Sequence, residues 1–208
     1  MSQPLGPGSW ILEGLMTTVA SEPAAWPLAR RLNVAPMGPI VTGSFKRFVF
    51  RPFRSSTTYR NLRDHRAGVF HVTDDALMLA RAAIGCQDPV ALRPAQEIEG
   101  LILIDACRYY ELRVTNLDDR AERTWIQMEP VATGRLRDFV GFNRARHAVV
   151  EAAILATRVF LTGPDPVLAE FERLQVIVDK TGSEPEHQAM AQLRRYVLAG
   201  PRTKDGEP

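Results

Sequence analysis

Residues 51–62 have the sequence RPFRSSTTYRNL and mark the point where a β-rich run gives way to a helix. The run ends with Phe50, Pro52 stops it, and the Ser/Thr cluster that follows supplies side chains typical of helix N-caps. A helix that begins there points unpaired N–H groups and the positive end of its dipole forward. One guanidinium group can bind two oxygens of a phosphate at once, so Arg51 and Arg54 favour an anion site. A capped surface helix with solvated arginines explains this stretch, taken alone, equally well.

The length and composition are those of a packed globular protein. The chain has 208 residues, of which 45% are hydrophobic, enough for one large domain or a core domain with a helical appendage. Its 26 basic residues are nearly balanced by 24 acidic ones. Almost all of the basic residues are arginines spread along the chain, so no basic stripe predicts a nucleic-acid partner.

The cysteines and the apolar runs predict a compartment. Cys86 and Cys107 are the only cysteines and form no C-x-x-C pair, which argues against a disulfide framework and favours a reducing environment. The start of the chain lacks the pattern of a secretory signal, and apolar runs such as Leu101 to Ile104 are too short to cross a bilayer. The sequence therefore predicts a cytoplasmic protein with no membrane partner.

The first two thirds of the chain favour β-structure. Enrichment in β-branched and aromatic residues predicts strands at Trp10–Val19, Leu32–Thr42, Phe45–Arg51, Gly68–Thr73, Leu101–Asp105, Tyr109–Asn116 and Thr124–Arg135. Helices are predicted from Thr57 to Arg66 and, capped by Asp74 or Asp75, as far as Ile84, both laid across the strands. Pro36 and Pro39 interrupt the second strand and place it at an edge or a bulge. A closed or half-closed barrel is the economical architecture.

Beyond residue 138 the pattern becomes helical. Apolar stripes predict helices at Asn143–Leu161, Pro166–Lys180 and Glu186–Leu198. We therefore expect a barrel over residues 1–138, a helical subdomain over 139–200 and a polar tail over 201–208. The stripe of the first helix is more simply explained by core or dimer packing than by a surface for a partner protein.

Familiar catalytic patterns are not present in the sequence. No G-x-S-x-G, G-x-G-x-x-G or P-loop occurs, and the histidines lack the spacing of metal ligands. The acid pair Asp74-Asp75 is more typical of a helix cap, and Asp118-Asp119 of a hairpin turn. The sequence thus predicts no metal and leaves catalytic residues unassigned.

Two polar, irregular segments remain, and a strand joins them. The interrupted segment Asn33–Gly38 leaves backbone N–H and C=O groups unpaired by the sheet, which suits a planar heterocycle with alternating donors and acceptors. The segment Arg51–Asn61 supplies the anion site beside it. Together they predict a site for flavin mononucleotide (FMN), with the ring along the first segment and the phosphate at the second.

The same residues resemble a known family. The chain is similar to the FMN-binding split-barrel superfamily, and within it to a functionally uncharacterised family of archaea and some bacteria. The resembling segments are EGLMTT at 13–18, NVAPMG at 33–38, RPFRSSTTYRNL at 51–62, VFHVTDD at 69–75, NRA at 143–145 and AVVEA at 148–152. The second and third segments are specific in combination, and either alone is weak.

The resemblance implies a fold, an assembly and a set of binding residues. It implies an α+β, mainly β protein with a six-stranded split barrel and a C-terminal helical layer, which forms a homodimer with FMN in a groove between subunits. The implied cofactor-binding residues are Asn33, Ala35, Met37, Arg51, Arg54, Ser56, Thr57, Thr58 and Asn61. His71 stands where related flavin reductases often have Asn, and a strand histidine with local partners explains it better than a catalytic one.

Two functions fit these expectations. One is an FMN-dependent oxidoreductase of unknown substrate and electron donor, in which the flavin does the redox chemistry. The other is a non-catalytic module that binds FMN or another phosphorylated heterocycle, such as a pterin or pyridoxal phosphate, because the fold hosts both kinds of protein.

Overall fold

A computed structural model describes residues 6–23, 26–86 and 90–200. The chain forms two compact units, Met1–Thr73 with Val90–Phe139, and Asp74–Pro89 with Val140–Pro208. The predicted tail at 201–208 lies outside the described residues.

The first unit is built on an antiparallel sheet. Its strands are β1 (Ser9–Ile11), β2 (Gly14–Val19), β3 (Leu32–Met37), β4 (Ile40–Thr42), β5 (Phe48–Phe50), β6 (Ala67–Val72), β9 (Arg108–Asp118) and β10 (Trp125–Arg135), and β7 (Leu92–Pro94) pairs separately with β8 (Leu101–Leu103). The order in the large sheet is β1-β4-β5-β10-β9-β6-β2-β3. Strand β3 therefore lies at an edge, as Pro36 predicts.

Two of the predicted strands are each broken in the middle. The first divides into β1 and β2 at residues 12–13, and the second into β3 and β4 at residues 38–39. The two breaks face each other, since Leu12 N–H donates to Pro39 O at 3.0 Å. Beyond them β1 pairs with β4 and β2 with β3, and these two ladders lie at opposite ends of the sheet order. The breaks thus allow the sheet to turn a corner, which local residue preferences do not reveal.

Apolar side chains form clusters on the two faces of this sheet. Phe48, Phe50, Phe70, Tyr110 and their neighbours form the larger one, with ring centroids 5.0 to 5.9 Å apart in several pairs. Helix α1 (Thr57–His65) adds Tyr59 and Leu62 to this cluster, so burial of its apolar face holds that side of the helix against the sheet. The smaller cluster contains Val69 and Ile102.

The β9–β10 hairpin is longer than predicted. The sequence places a turn at residues 116–119, but β9 continues to Asp118, which pairs with Trp125. The predicted turn is wrong because cross-strand pairing outweighs the turn preference of Asn116 and Asp118.

The second unit is helical. It contains α2 (Ala76–Ala83), α3 (Arg144–Ala156), α4 (Val159–Thr162), α5 (Pro164–Thr181) and α6 (Glu184–Ala199). The sequence predicts that α2 lies across the barrel strands, whereas in the structure α2 packs against α3 and α6. Asp75 caps α2 by accepting from Met78 N–H at 2.8 Å. The predicted long helix from Asn143 is interrupted between α3 and α4.

Candidate functional site

A side-chain hydrogen bond joins the edge strand β3 to the start of α1. Asn33 Nδ2 donates to Thr58 Oγ1 at 3.1 Å, and to Thr18 Oγ1 on β2 at 3.3 Å. Asn61 Nδ2 donates to the same Thr18 oxygen at 3.0 Å. The two polar segments that the sequence singles out therefore lie side by side.

This cluster is mostly buried. Thr18, Thr58 and Asn61 are only 2%, 3% and 5% exposed, while Asn33 is half-buried. Buried polar groups are costly unless paired, so these bonds fix the strand relative to the helix. Thr18 was not among the predicted site residues, because its link to Asn33 depends on the hairpin register, which pairs the two residues.

The helix α1 begins at a capped turn. Ser56 is the N-cap, and its Oγ accepts from Tyr59 N–H at 3.1 Å and donates to Phe53 O at 2.7 Å. The predicted capping role of the Ser/Thr cluster is confirmed at Ser56. Thr57 follows as the first helical residue and is half-buried.

Arg60 is a further basic residue at this turn, and it is not among the predicted binding residues. Its guanidinium donates to Ser55 O at 2.8 Å and to Thr57 Oγ1 at 3.0 Å. Helical side chains lean toward the N-terminus, which brings a residue of the first turn back over the cap. That rule is the signal by which the sequence could have placed Arg60 here.

The β9–β10 hairpin holds the backbone that carries Arg51 and Arg54. Arg54 N–H donates to Glu122 O at 2.9 Å, and Arg123 Nε donates to Arg51 O at 3.2 Å. Between them, Thr124 donates to Pro52 O from its backbone N–H at 3.0 Å and from its hydroxyl at 2.8 Å. The Arg54 side chain is exposed and Arg51 is half-buried. Within the described ranges, no hydrogen bond joins either guanidinium to the Asn33 cluster.

Ala35 and Met37 lie on β3 with Asn33, two and four residues along. All six residues of β3 are half-buried, and Met37 packs against the larger apolar cluster. Among the residues that the structure describes, β3 has a strand neighbour on one side only, β2. Its other edge leaves alternate N–H and C=O groups available for a ligand or a partner.

The acid pair on the hairpin has structural partners. Asp119 Oδ2 accepts from the Tyr59 hydroxyl at 2.6 Å, and this bond to a carboxylate raises the pKa of the Tyr59 phenol. Arg120 binds Asp118 through two nitrogens at 2.9 and 2.5 Å and lowers the pKa of that carboxyl to about 2. An open depression of about 380 Å³, lined by Asp118, Arg120, Ala121, Arg123 and Trp125, lies on the same hairpin.

His71 on β6 is fully buried and has a partner on each side of its ring. Leu103 N–H donates to Nε2 at 3.0 Å, so that nitrogen must be unprotonated, and Nδ1 lies 3.3 Å from Leu15 O, to which it donates. Burial lowers the pKa of His71 to about 4. The interpretation of His71 as a strand histidine with local partners is confirmed.

This arrangement predicts a loss of stability in mild acid. Because the pKa of His71 lies below the value of 6.5 for an exposed histidine, the unfolded chain takes up the proton first and stability falls as the pH drops through this window. We expect a loss of about 2 kcal/mol between pH 7.5 and pH 5. Urea denaturation at both pH values measures it. The exposed His147→Gln variant should keep the full loss, and a His71→Gln variant that also kept it would contradict the assignment.

The described part of the chain shows neither a candidate metal site nor a membrane-spanning helix. Among residues 6–23, 26–86 and 90–200, no group of three or more His, Cys, Asp or Glu side chains is placed to hold a metal ion. No helix within the same ranges is long and apolar enough to span a bilayer.

Solved structures with the same fold include an FMN-bound protein from Methanosarcina mazei that matches the DUF447 family model. It is 23% identical, and the alignment covers 89% of this chain and 94% of that one with a TM-score of 0.75. Weaker matches include an FMN-binding protein from Thermus thermophilus, at 13% identity, 65% and 79% coverage and a TM-score of 0.48. Another is the 2-nitrobenzoate 2-nitroreductase NbaA of Pseudomonas fluorescens, at 18% identity, 62% and 66% coverage and a TM-score of 0.46. No curated protein matches the chain.

The fold is that of the FMN-binding split barrels, mainly β with a C-terminal helical layer, as the resemblance implies. Two family models match the sequence. The N-terminal domain of a protein of unknown function, DUF447, matches residues 27–137, and the C-terminal DUF447 model matches residues 143–195. The chain therefore belongs to the DUF447 family.

Proposed function

We propose that this protein is an FMN-binding flavoprotein. The ring lies along Asn33–Gly38 and the phosphate at the turn between Arg51 and Asn61. One observation carries the proposal. The 3.1 Å hydrogen bond from Asn33 to Thr58 places an open strand edge, suited to a flat heterocycle, beside a helix start suited to an anion. The FMN-bound relative from M. mazei supports the same cofactor.

The phosphate end consists of donors, as an anion requires. Arg51 and Arg54 supply charge from a backbone that hairpin hydrogen bonds hold in place. Thr57 supplies a hydroxyl at the start of α1, and Ser56 caps the helix. The positive end of the helix dipole also attracts an anion, and this effect is confined to the first turn. Thr58 and Asn61 are buried, and they hold strand and helix together beneath the ligand.

The ring end consists of one face and one edge of β3. Backbone N–H and C=O groups on the outer edge match the donor and acceptor pattern of the isoalloxazine ring. Asn33, Ala35 and Met37 share one face of the strand, where Ala35 leaves room and Met37 gives apolar contact. The amide of Asn33 lies at the junction with the phosphate end.

Bound FMN would supply the redox chemistry, and we propose a flavin-dependent oxidoreductase of unknown substrate. The protein's own residues bind and orient the cofactor, and hydrogen bonds from the strand edge tune its ring. The proposed contact residues carry amide, hydroxyl, guanidinium and apolar groups. We therefore assign no catalytic acid or base.

A second candidate follows from that same set of residues. With no carboxylate, imidazole or thiol among the proposed contacts, the site suits a module that stores, senses or delivers FMN, or another phosphorylated heterocycle such as a pterin or pyridoxal phosphate. Fold alone does not separate a binder from an enzyme.

The absorption spectrum of the purified protein mixed with FMN, before and after addition of a reductant, tests both candidates. We expect a flavin spectrum altered by binding, and bleaching by NADH, NADPH or a reduced deazaflavin if the protein is an oxidoreductase. An altered spectrum that none of the three donors bleaches would favour the binding module. A spectrum identical to that of free FMN would contradict both candidates as FMN-binding proteins, and would leave only a module for another phosphorylated heterocycle.

We also propose a homodimer with the cofactor near the subunit interface, as the family resemblance implies, and a cytoplasmic location. The open edge of β3 gives such an interface a place to form. Cys86 and Cys107 form no C-x-x-C pair in the sequence, which agrees with a reducing compartment.

A further inference from the structure

We infer that Thr18 is the positioning residue of the proposed FMN site, so the inference rests on the proposed function. Its hydroxyl oxygen accepts from Asn33 on β3 and from Asn61 on α1, at 3.3 and 3.0 Å. One atom therefore ties together the strand that carries the ring site and the helix that carries the phosphate site.

The burial of Thr18 makes this tie effective. The residue is 2% exposed, and it belongs to β2, which is hydrogen-bonded on both sides, to β3 and to β6. Its backbone is therefore fixed, and the hydroxyl is a stationary acceptor for two amide donors. Removal of the hydroxyl would leave both amides without this acceptor in a place where water does not easily replace it.

The direction of the hydrogen bonds also matters. Asn33 uses one N–H on Thr18 and the other on Thr58, so Thr58 receives a hydrogen and keeps its own to donate. With Thr18 in place, the Asn33 amide therefore has one orientation, with its oxygen turned away from both threonines. A ligand that contacts only β3 does not depend on how β3 lies relative to α1. A ligand that contacts both elements does depend on it.

FMN and riboflavin separate these cases, because riboflavin has the ring and lacks the phosphate. We expect Thr18→Val, nearly isosteric but without the hydroxyl, to weaken FMN binding about tenfold and riboflavin binding less than twofold. Thr18→Ser, which restores the hydroxyl, should bring FMN affinity back to within about threefold of the original. Quenching of flavin fluorescence measures all of these affinities.

Thr17→Val is the matched control. Thr17 is the next residue of the same strand, is also 2% exposed, and donates its hydroxyl to Leu101 O at 2.6 Å on the opposite face of the sheet. This variant loses a buried hydroxyl in the same way, but its preference for FMN over riboflavin should be unchanged. Asn61→Ala removes one of the two hydrogen bonds to Thr18 Oγ1. This variant should reproduce the selective loss of FMN affinity even if Thr18→Val fails to fold.

The outcomes are distinct. A selective loss of FMN affinity in Thr18→Val or Asn61→Ala, with recovery in Thr18→Ser, supports the inference. Equal losses for FMN and riboflavin, no loss, or the same selective loss in Thr17→Val would overturn it and leave the proposed cofactor standing. Failure of the unaltered protein to bind FMN would overturn the proposed function, and the inference with it.

Discussion

Replacement of Glu111 by alanine should lower the free energy of unfolding by about 4 kcal/mol. Glu111 lies on β9 and is fully buried. Its two carboxylate oxygens accept from Gln96 N–H at 2.9 Å and from Glu97 N–H at 2.7 Å. The change leaves two backbone donors without an acceptor and opens a cavity, and both effects destabilise the folded state.

Urea denaturation followed by circular dichroism measures this loss, with Glu129→Ala as the control. Glu129 lies on the neighbouring strand β10 and is exposed, so its replacement should change stability by less than about 0.5 kcal/mol. A loss below about 1 kcal/mol in Glu111→Ala would contradict the account, because it would mean that the two N–H groups find other acceptors.

Replacement of Arg51 or Arg54 by alanine should weaken FMN binding by about 1.5 to 3 kcal/mol in each case. Each change removes a charged donor from the proposed phosphate site. Glu122, the Arg123 side chain and Thr124 hydrogen-bond to main-chain atoms of Arg51, Pro52 and Arg54. These bonds do not involve the arginine side chains that are removed, so the turn itself should persist. Unfolding free energies should therefore stay within about 0.5 kcal/mol of the original.

Arg108→Ala controls for the change in net charge. Arg108 is exposed at the start of β9 and has no place in the proposed site, so FMN affinity should be unchanged. Isothermal titration calorimetry with FMN compares the three variants. If Arg51→Ala and Arg54→Ala both bound FMN as tightly as Arg108→Ala does, the phosphate would have to lie elsewhere.

Much of the fold could be predicted because the signals were local. Pro36 removes a backbone donor and so placed β3 at an edge or a bulge, of which the structure shows the edge. The Ser/Thr cluster identified the start of α1 to the residue. The apolar stripes identified the C-terminal helices. What the sequence could not predict depends on distant packing. The corner where Leu12 meets Pro39 and the placement of α2 against α3 and α6 are examples.

The candidate site, like the fold, could be predicted from the sequence only in part. The two segments could be named from their residue types, and proximity could be guessed from the strand between them. The depth of each side chain could not. Thr58 and Asn61 are buried because the apolar face of α1, with Tyr59 and Leu62, presses that side of the helix against the sheet. The sequence does not single out Thr18, because its role depends on its cross-strand pairing with Asn33, which only the structure shows.

Titration of the unaltered protein with FMN and, separately, with riboflavin is the decisive test of the proposed site. Quenching of flavin fluorescence gives both affinities and the stoichiometry. We expect saturable binding of one FMN per chain, and riboflavin binding weaker by at least about tenfold, since the phosphate contacts are lost. Absence of saturable FMN binding, or equal affinity for the two ligands, would contradict a site that joins the edge of β3 to the start of α1.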